Sequence, residues 1–217
     1  MRVLGIDPSM RNLGWHLRDF DEEFLTLSKS KKISGGTIKN EDSKEFFLTR
    51  LLTTSNALHD KVNEYKPDIV GIESQIMFGM NRSSILPVIF SLSIEFWHPS
   101  RIELTKKLDY HIPKYVVLFS PERVQSLAHN QRKTPGSEVV KKYKELTKDT
   151  IRVTEHEADA MFIGLYAWRF INACVLNKIS RVSLSKNEVS IFLEAVDKKG
   201  EKKDILSNKG TMWWVNN

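Results

Sequence analysis

Short apolar runs alternate along most of this chain with longer segments whose apolar residues recur every three or four positions, a pattern that predicts a layered α/β domain. Val3, Leu4 and Ile6 open a strand, a turn occupies 8–12, and further strands are expected over 13–17 and 33–38, which makes a three-stranded meander. Ser43 can cap a helix over 43–65 whose Phe47, Leu51, Leu58 and Val62 share one face, and Lys66-Pro67 stops it. The run 69–72 is wholly apolar and ends in Glu73, as a buried parallel strand after a crossover helix should. Residues 84–97, with Pro87 in the first turn, predict a helix apolar nearly all round, buried on several sides or partly against a second subunit.

The same reading places a strand at 115–119, a short helix at 121–128, and a helix at 136–148 with a basic face of Lys141, Lys144 and Lys148. A strongly apolar helix follows at 157–171. Beyond Cys174 the pattern changes. Residues 188–195 read as a strand, 197–200 as a hairpin turn, and 211–215 carry Trp213 and Trp214, which we expect to pack onto the domain. The expected division is a domain over 1–173 and a β-hairpin extension over 174–217. The fold class is a mixed β-sheet flanked by helices with a small C-terminal appendage.

Composition adds two constraints. With 217 residues, 41% apolar and 28% charged, the chain can bury a core without covalent staples, and its single cysteine excludes an intrachain disulfide or a Cys-rich zinc site. Cys174 lies among Ile171, Ala173, Val175 and Leu176, so an inert packed thiol is expected there. The apolar runs 85–90 and 161–168 fall far short of the roughly 18 residues a membrane helix needs. The charge is uneven: residues 101–152 hold 12 basic and 6 acidic side chains, whereas the rest of the chain balances. A local basic stretch of this kind suits a polyanion, since phosphate contacts gain from counterion release.

Candidate chemistry sits at strand ends. Asp7 closes the first strand in Gly5-Ile6-Asp7-Pro8, and Glu73 closes the fourth in Gly71-Ile72-Glu73. Ligands bind at the carboxyl ends of strands in such sheets, and two acids emerging side by side cannot both ionise without a cation between them. His156 and Asp159 stand at i and i+3, on one face of the last apolar helix. Glu155, four residues before Asp159, shares that face and competes with His156 as a ligand, while Glu157 points away as a first-turn charge. Carboxylates suit Mg²⁺ or Mn²⁺, and a pair of such ions is the usual apparatus of phosphodiester hydrolysis.

The series Gly-Ile-Asp-Pro-Ser-Met-Arg-Asn-Leu-Gly-Trp at 5–15, Ile-Glu-Ser-Gln at 72–75 and His-Glu-Ala-Asp-Ala at 156–160 resembles the RuvC-type Holliday junction resolvases of the RNase H-like superfamily, over about residues 1–173. The resemblance implies a homodimeric endonuclease, dependent on Mg²⁺ or Mn²⁺ with two ions per site, that nicks four-way DNA junctions in the cytoplasm of a bacterial or phage-infected cell. It implies Asp7, Glu73, His156 and Asp159 as catalytic metal ligands, and puts Gly14 at the turn glycine of the first motif. Ser9 stands where the family usually has glycine, and Ile76 where it has an aromatic wedge, the nearest aromatic being Phe78. Expected DNA contacts are Phe78, Arg82, Arg123, Arg132, Lys133, Lys141 and Lys144. The alternatives are a nuclease of the same chemistry on flaps, forks or hybrids, or a non-catalytic branched-DNA-binding module. A sugar-kinase-like ATPase lacks support, because no phosphate-cradling glycine loop is present.

Overall fold

Strands β1 (Arg2–Asp7), β2 (Asn12–Asp19) and β3 (Lys31–Lys39) form the antiparallel meander that the apolar alternation predicts. Helix α1 (Phe47–Tyr65) returns the chain to β4 (Ile69–Glu73), which pairs parallel to β1, and β5 (Tyr115–Phe119) pairs parallel to β4. Helices α2 (Pro121–His129), α3 (Gly136–Thr147) and α4 (Glu155–Phe170) follow, with a π-helical turn at Ile171–Val175. Helix α5 (Lys186–Asp197) and strand β6 (Thr211–Val215) close the chain, β6 adding antiparallel to β5. The sheet order is β3-β2-β1-β4-β5-β6. The computed structural model describes residues 1–8, 12–21, 27, 30–39, 47–73, 97, 109–131, 134–180, 183–197 and 211–216.

Both sheet faces are covered, and period-two alternation decides which residue faces which helix. Leu4, Ile6, Leu13, Trp15, Leu17, Val70, Ile72, Val116 and Leu118 pack with Leu58 and Val62 of α1. Val3, Ile69, Val117 and Phe119 face the other way, into a core with Val124, Val139, Tyr143 and the apolar residues of α4. Helix α4 is apolar on nearly every side because it lies between the sheet and helices α2, α3 and α5. Cys174 is half-buried against that core. Among the described residues, no helix is long and apolar enough to cross a membrane.

One element differs in kind from the sequence reading. Residues 188–195, read as a strand, lie inside α5. The cause is a capping box: Ser185 Oγ accepts the Glu188 N–H at 3.2 Å, and the Ser185 N–H donates to Glu188 Oε2 at 2.7 Å. The Arg169 guanidinium of α4 grips the same carboxylate through Nε and Nη2, and Ile191 and Phe192 are buried. Asp197 therefore ends a helix instead of opening a hairpin turn. Trp213 of β6 is half-buried with its ring 5.6 Å from that of Phe170. The expected helix at 84–97, apart from buried Trp97, and the 198–203 lysines lie outside the described residues.

Candidate active site

Gly5-Ile6-Asp7 and Gly71-Ile72-Glu73 are one pattern written on two neighbouring parallel strands, with Gly5 opposite Gly71 and Ile6 opposite Ile72. The glycines make room for α4. A methyl group at Gly5 would overlap the Ala160 carbonyl and lie 2.7 Å from Gly164 N. At Gly71 it would lie 2.7 Å from Ala167 Cβ and 2.9 Å from the Ile163 carbonyl, and at Gly14 it would overlap the His156 carbonyl. Three strands thus present a bare track on which the helix backbone rests, the use expected of glycine inside a strand. Gly14 is accordingly a strand residue, paired with Asp7, and its role is close approach instead of a turn. Two residues beyond Gly5 and Gly71, on the same face, stand Asp7 and Glu73. Sequence reasoning used the acids, passed over Gly5 and Gly71, and gave Gly14 a different role.

The first turn of α4 brings the remaining groups. Thr154 caps it, its Oγ1 accepting the Glu157 N–H at 3.2 Å, and Thr154 Oγ1 also meets Thr37 Oγ1 of β3 at 2.7 Å. His156 Nδ1 lies 2.7 Å from Asp7 Oδ2. That hydrogen bond, with the negative charge of Asp7, Glu155 and Asp159, holds the imidazole above its ordinary pKa against the opposing effect of burial. Glu73 is pushed up to about 8 by burial first and then by the charges of Asp7 and Asp159. Asp159 is pushed up to about 7 by burial, Asp7 and Glu155, and its Oδ1 is buried without a hydrogen-bond partner among the described residues. The acids therefore act on one another across a shared, partly dehydrated crevice.

A divalent cation fits this set on chemistry: hard oxygen donors, one of them orphaned, in mutual repulsion that a positive ion would relieve. Among the described residues no three His, Cys, Asp or Glu side chains close around a single point. Like charges without a counterion keep apart, and one Asp7 oxygen is engaged by His156. Glu155 is exposed, its carboxylate abuts Gly136, the first residue of α3, and its charge is felt at both His156 and Asp159.

Glu157 is the first-turn charge facing away from the crevice that the sequence predicts, but it is not solvated. It is buried, with 5% of its surface exposed, and accepts from Lys32 Nζ at 2.5 Å. Burial alone would raise its pKa, but the Lys32 bond and charge, with His16 close by, outweigh that and hold it below the usual carboxylate range.

Of the expected DNA contacts, Arg123 lies in the first turn of α2, just beyond the β5 terminus, and Lys141 and Lys144 are exposed on α3. Lys141 makes a loose pair with Glu145 at 4.0 Å. Phe78, Arg82, Arg132 and Lys133 lie outside the described residues.

No protein-family model matches the chain. Curated relatives do: the chain is 30% identical over 130 residues, 55% of this chain and 79% of the relative, to the crossover junction endodeoxyribonuclease RuvC of Rickettsia typhi. It is 28% identical over 130 residues, again 55% and 79%, to that of Rickettsia prowazekii. Among solved structures, Thermus thermophilus RuvC in complex with a Holliday junction substrate superposes with a TM-score of 0.56 at 19% identity, covering 76% of this chain and 91% of that one. The Thermus thermophilus RuvC structure gives 0.55 at 19% identity, covering 77% and 94%. These superpositions show the fold: the six-stranded mixed sheet with flanking helices is RNase H-like.

Proposed function

Because the chain belongs to the RuvC family of crossover junction endodeoxyribonucleases, we propose that it is a metal-dependent endonuclease that resolves four-way or related branched DNA, with Asp7, Glu73, His156 and Asp159 as its site. The observation that carries the assignment of residues is the crevice itself. Burial and the charge of Asp7 raise the proton affinity of Glu73 and Asp159 there, and one buried Asp159 oxygen lacks a partner among the described residues. Structural acids in a stable core are normally paired with cations or hydrogen-bond donors; here Asp7 has His156, while Glu73 and Asp159 stand beside other carboxylates.

Asp7, Glu73 and Asp159 would hold Mg²⁺ or Mn²⁺, and His156 Nδ1, now bonded to Asp7 Oδ2, would be a further ligand atom once released. The ions, two in the usual arrangement, would activate water and stabilise the leaving 3′ oxygen. The chain's own residues do the rest. The glycine track seats the α4 backbone against β1, β2 and β4, which would leave only side-chain adjustment for the donor atoms to converge. Burial of Glu73 and Asp159 keeps bulk water from screening that charge. Arg123, Lys141 and Lys144, with Arg82, Arg132 and Lys133, would hold the DNA arms by phosphate contact, and Phe78 would stack at the junction centre. A junction has approximate two-fold symmetry, so we propose a homodimer through the apolar segment 84–97, giving one site per strand to be cut.

The test is cleavage of matched four-way, three-way, flap and linear DNAs in Mg²⁺ by the native protein and by Asp7→Asn. The four-way junction should be cut best. The variant should lose cleavage by about a thousandfold or more while binding the junction in EDTA with affinity unchanged within about threefold. A cruciform plasmid should give linear product from paired nicks. Normal cleavage by the variant would refute the site, and preference for flaps would move the protein to the alternative substrate class.

A further inference from the structure

Glu157 lies in the same helical turn as His156 and Asp159 yet faces away from the crevice, into the space between α4 and the outer strands. Its environment is built around it. Lys32 of β3 donates at 2.5 Å, His16 Nδ1 of β2 stands 3.6 Å from the same Oε1, and Arg18 Nε meets His16 Nε2 at 3.5 Å, an arrangement that leaves the imidazole proton on Nδ1, toward Glu157. Gly35 of β3 completes the fit, since a methyl there would lie 2.5 Å from Glu157 Oε1.

Such a pair needs a reason. The Lys32 and Glu157 side chains are only 18% and 6% exposed, and a buried ion pair adds little stability over apolar side chains of the same bulk, because dehydrating two charges offsets their attraction. What an ion pair supplies and a leucine does not is direction. The contact ties the turn carrying His156 and Asp159 to β3, and the Thr154–Thr37 bond ties the same turn to the same strand five residues along. Among the described residues, Asp159 Oδ1 has no hydrogen bond to set its orientation. Donor atoms of a metal site must be held to roughly 0.5 Å and 10–20°, and rotation of the first turn about the helix axis is the motion that would misplace both.

We infer that Lys32 and Glu157 are positioning residues which fix the rotation of the first turn of α4, and so hold His156 and Asp159 in register with Asp7 and Glu73 for a divalent cation, without touching the ion or the DNA. This rests on the metal-site assignment above.

The experiment is Mn²⁺ binding by the DNA-free protein, followed by electron paramagnetic resonance, with melting temperature and junction affinity in EDTA measured alongside. The native chain should bind Mn²⁺, and Asp7→Asn should abolish binding; a native chain that binds none refutes the metal site itself. Glu157→Gln and Lys32→Gln should each weaken binding about tenfold to a hundredfold, with junction affinity in EDTA unchanged, and Lys32→Arg should restore most of it. The double variant Lys32→Met with Glu157→Leu replaces the pair by apolar bulk and stays folded by packing, so it reads the effect even where a single variant does not fold. It should melt near the native temperature and still bind Mn²⁺ weakly. Native Mn²⁺ affinity in the double variant, or in folded Glu157→Gln and Lys32→Gln proteins, would overturn the inference.

Discussion

His16 shows how one buried side chain contributes to the acid sensitivity of the molecule. It is 2% exposed, and burial first, then the charges of Arg18 and Lys32, push its pKa down to about 4 despite the opposing influence of the Glu157 carboxylate 3.6 Å away. In the unfolded chain the ring titrates at about 6.5. The unfolded state therefore takes up the proton first, and the stability that neutral His16 contributes is complete above about pH 6.5 and is lost as pH falls toward 4. The shift corresponds to about 3 kcal/mol at the acid end. Denaturant unfolding measured from pH 7 to pH 4 should show this loss, and His16→Gln should make that limb shallower without removing it, because His129, pushed down to about 4 by burial and Lys142, titrates in the same window; an unchanged slope in the variant would assign the acid sensitivity to other groups. At this scale the sequence was legible where chemistry and position coincide. Asp7 and Glu73 end apolar strands, and His156 and Asp159 share a helical face. Glu157 was not legible, because a first-turn glutamate is ordinarily solvated and its partner Lys32 lies 125 residues away in the chain.

At the scale of elements, the site depends on how closely α4 approaches the sheet. Gly5→Ala would drive a methyl into the Ala160 carbonyl, a backbone atom that moves only if the helix moves. Gly36→Ala is the matched control, since its methyl would meet nothing nearer than Trp15 Nε1 at 3.6 Å. We expect the first to cost about 3 kcal/mol and to abolish cleavage, and the second to change stability by less than about 0.5 kcal/mol. Equal melting temperatures for the two variants would contradict the track. The helices and strands that form this arrangement were readable from periodicity because each is long or strongly patterned. Residues 188–195 were not: Val189, Ile191 and Leu193 alternate as in a strand, while Val189, Phe192, Leu193 and Val196 recur as in a helix. For so short an apolar run the pattern decides nothing, and Ser185 with Glu188, the capping pair, carries the deciding signal.

For the whole molecule the question is what the chain after Cys174 does. Its described parts are bound into the domain at several independent points. Arg169 and Glu188 join α4 to α5, and Asn187 Nδ2 donates to the Ser126 carbonyl and to Asn130 Oδ1 at the end of α2. Strand β6 covers the edge of β5, and buried Asn216 Nδ2 donates to the carbonyls of Trp97 and Pro113 at 3.0 and 2.8 Å. Without β6, the β5 edge would present unpaired backbone groups next to a wholly buried strand, a template for aggregation. Each buried hydrogen bond lost is worth about 1 kcal/mol, so with Trp213 unpacked from Phe170 the total loss is about 3 kcal/mol. Truncation after Asp197, which keeps α5 and removes β6, should then lower the melting temperature by about 6–12 °C for a chain of this size. It should promote concentration-dependent aggregation while changing junction affinity in EDTA by less than about threefold. An unchanged melting temperature with junction affinity lost would make the terminal segment a DNA-binding element instead, with the basic residues Lys198, Lys199, Lys202 and Lys203 as its contacts.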